Sequence, residues 1–107
     1  MLTVVVNRKR WYRGKPNTSA LRKRSGKKCC IGFLASALGV KNKDMTEVGV
    51  LDDVDTVIDL STFIDKNGHA LTETYITNDD SALTDKAREK ELRAIGKRMD
   101  VRFRFVD

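Results

Sequence analysis

VRFRFV, Val101 to Val106, alternates apolar and basic residues, with Val101, Phe103 and Phe105 on one side and Arg102 and Arg104 on the other. Period-two patterning of β-branched and aromatic residues predicts a half-buried strand. The other end of the chain carries LTVVV, Leu2 to Val6, a β-branched run stopped by Asn7. A strand at each terminus invites pairing of the two ends. With helical patterns between them, the expected fold class is α+β. The expectation is a small single domain, 1–107, with two main helices packed on one face of an antiparallel sheet that includes both terminal strands.

The first helix is read in KKCCIGFLASALG, Lys27 to Gly39, where Cys30, Phe33, Leu34, Ala37 and Leu38 fall at helical spacing and Gly39 offers a C-terminal cap. The second opens at Thr84, whose hydroxyl can cap, with Asp85 in the first turn and Leu92, Ile95 and Met99 as its buried stripe. Glu89 and Arg93 add an i, i+4 ion pair. Between the helices the signals are short. Val57 to Ile64 is compatible with a short helix or a strand, Asp65-Lys66-Asn67-Gly68 predicts a turn, and His69 to Thr77 alternates loosely as a strand or extended loop would. Upstream, Gly14, Pro16, Asn17, Ser19, Ser25 and Gly26 mark Arg8 to Lys28 as loop.

Length and composition set further bounds. One domain of 107 residues is long enough to bury a core without staples. No apolar run reaches the roughly 18 residues of a membrane span, and the N-terminus has its apolar run ahead of its basic one, the reverse of a secretory signal. The expected setting is a cytosol, where Cys29 and Cys30 stay reduced. The net charge of +6 divides unevenly. Residues 1–43 hold twelve bases and no acid, residues 44–80 hold ten acids against Lys66 alone, and residues 81–107 mix eight bases with five acids. Such a layout means either an anionic partner for the basic third or two blocks that face each other.

Few residues suggest chemistry. Two adjacent Cys and the single His69 fall short of a structural zinc set, so no metal is expected. Neighbouring helical residues point about 100° apart, so the two thiols are read as packing, with a lowered Cys29 pKa beside Lys27 and Lys28 as the minor alternative. Ser25-Gly26-Lys27-Lys28 lacks the glycine and hydroxyl positions of a phosphate loop. His69 has no nucleophile with an oriented partner, and Asp79 and Asp80 are read as an acidic approach to the second helix. No catalytic group and no cofactor is expected.

The basic block is the feature that implies a partner. Arg8, Lys9, Arg10, Trp11, Tyr12, Arg13, Arg22, Arg24 and Lys28 combine phosphate-pairing cations with aromatics able to stack on bases. The competing reading makes Trp11 a core anchor inside a solvated loop.

Taken together, Trp11-Tyr12-Arg13-Gly14, the stretch Gly26 to Leu34 with its C-C-x-G-F core, Asn78-Asp79-Asp80, Arg88-Glu89 and the final strand make the chain resemble a family of small uncharacterised proteins encoded by bacteriophages and prophages. Relatives of that kind often carry Met or another residue at the position of Lys28 and a Gly-Ile or Gly-Val step in place of Met99-Asp100. The resemblance implies a phage accessory protein in a bacterial cytoplasm and leaves its activity open. The expected function is a non-enzymatic binding protein whose basic segment engages nucleic acid or a host nucleic-acid-handling complex. The alternatives are an anti-defence inhibitor acting by protein contact through Asp52, Asp53, Asp55 and Asp59 as much as through the basic segment, and a binder of a small nucleotide.

Overall fold

In a computed structural model, residues 1–15 and 20–107 are described; the turn residues Pro16, Asn17 and Ser19 lie outside them. Strand β1 (Leu2–Asn7) runs into a 3₁₀ turn at Arg8–Arg10, and a bridged loop leads to α1 (Cys30–Ala37). A short α2 (Asn42–Met45), a 3₁₀ turn at Leu51–Asp53, a long α3 (Ser61–Asp79) and α4 (Asp85–Arg98) follow, and β2 (Val101–Val106) closes the chain.

The two terminal strands do pair, but in parallel, with Leu2 opposite Val101 and Asn7 opposite Val106. The expected antiparallel sheet is therefore corrected: among the described residues there are two strands, paired in parallel, and four α-helices. Alternation marks a strand's faces and is silent on its direction, which the connections decide. Here α4 ends in a tight reversal at Met99 and Asp100, the latter in left-handed backbone at φ 57°. That reversal delivers the chain to the start of β1, where the Leu2 amide donates to the Asp100 carbonyl at 3.1 Å. Parallel strands require such a crossover, and the whole helical layer supplies it.

The inner sheet face, Val4, Val6, Val101 and Phe103, is buried, whereas Val5, Arg102 and Arg104 point to solvent. Helix α1 covers β1, α4 covers β2, and α3 packs on both helices. Two glycines make these approaches close. A Cβ on Gly32 would stand 1.9 Å from the Leu21 carbonyl oxygen, and one on Gly96 would stand 2.8 Å from both the Phe103 ring and the Val101 carbonyl oxygen. Only a missing side chain lets α1 lie on the Leu21 backbone and α4 on β2.

Most of the helical reading holds, with adjustments. Thr84 caps α4 by accepting from the Ala87 amide at 3.2 Å, and Leu92, Ile95 and Met99 are buried. In α1, Cys30 and Leu34 face the core with Ile31 and Ala35, while Ala37 is exposed and Phe33 and Leu38 are half-buried. Gly39 and Val40 close α1 by donating to the Ser36 and Ala35 carbonyls, the Schellman pattern. Both thiols are buried because Cys29 is extended at the N-cap, ψ 174°, rather than helical, so its side chain is not held about 100° from that of Cys30.

The middle of the chain departs most from expectation. A single helix, α3, replaces the turn at Asp65–Gly68 and the strand or extended loop over 69–77; its Asn67 leaves helical geometry at φ −117°, ψ 16° and kinks it. Its buried stripe is Asn67, Ala70, Leu71, Thr74, Thr77 and Asn78. Four of those six are polar, which hid the 3.6-residue period.

Candidate functional site

The residues that stood out in sequence meet around Asn78. Its side-chain oxygen accepts from the Trp11 indole N–H at 2.8 Å and from the Cys30 amide at 2.9 Å. Its amide group donates to the Tyr12 carbonyl at 3.1 Å and to Asp79 Oδ1 at 2.9 Å. The Asn78 carbonyl accepts from the Gly14 amide at 2.8 Å. Every hydrogen-bonding position of the side chain is used. Asn78 thereby satisfies one amide of the α1 N-terminus, that of Cys30.

Arg88, 3% exposed, organises the neighbouring turn by donating to the carbonyls of Thr77, Asp80 and Leu83 and to Asp85 Oδ1. Asp85 also accepts from Nε and Nη2 of Arg13, whose guanidinium lies 4.4 Å from the centre of the Trp11 ring. Hydrogen bonding from Arg13 holds the Asp85 carboxyl below its usual range. Arg8 grips Glu89 through two bonds of 2.9 and 2.8 Å and reaches Asp107. Trp11 itself is 3% exposed and packs 4.9 Å from Phe105. Asp79 and Asp80 close α3 rather than lead into α4, with Asp80 Oδ1 accepting from the Ala82 amide.

Of the nine expected binding residues, Trp11, Arg8 and Arg13 are thus engaged within the molecule. Arg24 pairs with Glu47 at 3.0 Å on the surface, a contact worth little. Tyr12 is half-buried under the Lys23 ammonium, 3.9 Å from its ring centre, and Lys9 is exposed. The remaining three come together. Lys28 bridges to both Trp11 and Arg22, and its amide donates to the Arg10 carbonyl at 2.9 Å. At the turn between Arg22 and Lys28, closed by the Gly26 amide on the Lys23 carbonyl, Gly26 adopts φ 93°. One guanidinium nitrogen of Arg10 and one of Arg22 lie 3.5 and 3.6 Å from where a Gly26 Cβ would sit.

The three cations are held without an acid. Among the described residues none of Arg10, Arg22 and Lys28 has a carboxylate within ion-pair distance. Arg22 donates instead to Thr46 Oγ1 and Lys28 to Ser36 Oγ. Burial, with Arg22 nearby, lowers the Lys28 pKa. Lys23 and Lys27, joined across the same turn by a 2.8 Å backbone bond, extend the cationic surface. Neither was among the expected binding residues, although Ser25-Gly26 between bases is the signal of such a turn.

The acidic middle does not neutralise this surface. Among the described residues the one ion pair from the basic third to the middle is Arg24 with Glu47; the others go to Asp85, Glu89 and Asp107. Asp52, Asp53, Asp55 and Asp59 are exposed, and Asp59 accepts from Ser61. Burial pushes the Cys29 thiol up to about 11, against the pull of the Gly32 and Ile31 amides, and pushes Cys30 up as well. Both are therefore thiols rather than thiolates near neutrality. Among the described residues no group of three His, Cys, Asp or Glu could hold a metal ion, and no helix is long and apolar enough to cross a membrane. Compared with protein-family models, with curated proteins and with solved structures, the chain matches none.

Proposed function

We propose that this is a binding protein that engages the phosphates of nucleic acid through the Gly26 turn, with Arg10, Arg22 and Lys28 at the centre and Lys9, Lys23 and Lys27 around them. One observation carries the reading: the Arg10 and Arg22 guanidiniums both stand at the Gly26 turn, Lys28 is bridged to Arg22 and feels its charge, and among the described residues no carboxylate pairs with any of the three to offset their repulsion. A phosphate oxygen placed among them turns that repulsion into attraction, and Arg presents it a paired-donor geometry. Trp11 takes no part, because its ring is covered, so recognition is by backbone charge and tolerant of sequence. In keeping with the phage resemblance, the setting is a bacterial host cell and the partner its nucleic acid or a complex that contains it.

Fluorescence anisotropy with a labelled single-stranded oligonucleotide over a salt series tests this. Affinity should fall with salt, and Arg10→Ala should flatten the log–log slope by about 0.7, the contribution of one phosphate contact on a single strand. Lys66→Ala, on α3 in the acidic middle, should leave the slope unchanged. An affinity indifferent to salt, or an Arg10→Ala protein indistinguishable from the parent, would remove the proposal.

A further inference from the structure

A second basic surface lies along β2. A groove of about 370 Å³ is lined by the strand itself from Val101 to Phe105, by Met1, and by Arg93 and Lys97 of α4. Arg102 and Arg104 are exposed on the sheet's outer face. The groove therefore carries two cations on each side of an apolar floor. Glu89 lies 3.9 Å from Arg93; among the described residues the other three cations have no carboxylate within ion-pair distance.

The strand edge that borders the groove is open. In a parallel ladder alternate residues turn both backbone groups to the same neighbour. Because Leu2 donates to the Asp100 carbonyl and stands opposite Val101, the groups of Asp100, Arg102 and Arg104 face β1. Those of Val101, Phe103 and Phe105 face the other way. The Val101 carbonyl abuts Gly96 of α4. Among the described residues no strand pairs with this side of β2. Two strands also make an unusually small parallel sheet, a kind that is normally covered on both faces.

We propose that this groove binds an extended acidic peptide segment of a partner protein, which adds to β2 as a third strand. Its main chain would satisfy the Phe103 and Phe105 amides and carbonyls, and acidic side chains on either face would meet Arg102 and Arg104 or Arg93 and Lys97. Charge complementarity selects the acidic peptide, and strand spacing selects an extended one. Nucleic acid suits the groove less well, because Phe103 is 2% exposed and Phe105 already packs on Trp11, leaving no open ring for a base. The proposal is independent of the Gly26 turn.

The test uses the whole chain and a fluorescein-labelled peptide alternating glutamate and valine. Anisotropy should report binding that weakens with salt, and amide exchange should slow at Phe103 and Phe105 while Arg102 and Arg104 are unchanged. The double variant Arg102→Glu with Arg104→Glu, at exposed positions, should lose about tenfold or more in peptide affinity. Arg10→Ala should retain peptide binding, which separates this site from the oligonucleotide site. No binding, binding that leaves the Phe103 and Phe105 amides exchanging as before, or displacement of the peptide by an oligonucleotide from the Arg10→Ala protein would each overturn the proposal.

Discussion

Asn78 shows how much of this molecule rests on a single amide. It joins the loop after β1, the start of α1 and the end of α3, and both atoms of its side-chain amide are saturated. Leaving the Trp11 indole and the Cys30 amide without an acceptor in a buried setting costs about 1–3 kcal/mol each. Asn78→Ala should therefore destabilise the fold by about 3 kcal/mol, read as a lower urea midpoint. Ile76→Ala, exposed on the same helix, should shift stability by less than about 0.5 kcal/mol. At this scale the sequence was legible in part. Trp11, Arg13, Cys30, Asn78, Arg88 and Glu89 could be picked out as unusual, but their spacing cannot say that they bind one another. Trp11 and Asn78 are 67 residues apart and meet only in the folded chain.

Elements were legible where their buried residues are apolar. Helix α4 follows from Leu92, Ile95 and Met99, β1 from the β-branched run LTVVV and β2 from the alternation in VRFRFV. Helix α3 does not, because Asn67, Thr74, Thr77 and Asn78 occupy its inner stripe and Asn67-Gly68 has the chemistry of a turn. That chemistry survives as the kink, stabilised by the Asn67 side chain donating to the Phe63 carbonyl at 2.9 Å. The direction of β2 was hidden for another reason: it is set by the reversal at Asp100, a non-glycine residue in left-handed backbone. Asp100→Gly should relieve that strain and stabilise the protein by about 1 kcal/mol, measurable as a rise in melting temperature. A loss of stability would mean that the Asp100 side chain holds the turn.

For the molecule as a whole, the division of charge seen in the sequence persists in the fold. The basic third spends Arg8 and Arg13 on the C-terminal part, through Glu89, Asp107 and Asp85, and among the described residues leaves Arg10, Arg22 and Lys28 without an ion-pair partner. Of the acids of the middle, among the described residues only Glu47 forms an ion pair with the basic third, through Arg24. The sequence could present Arg8 to Lys28 as one basic block, but only folding divides it into residues that fasten the structure and residues that face solvent. Trp11 is the hinge of that division, and it is the chain's single tryptophan. Its fluorescence therefore reports without ambiguity, and iodide quenching with and without a bound oligonucleotide is the most direct measurement. The ring should be shielded from iodide, with emission characteristic of an apolar setting, and an oligonucleotide should leave that shielding unchanged. A ring that iodide quenches freely, and that an oligonucleotide then protects, would contradict the assignment of Trp11 to the core and of binding to the bases beside it.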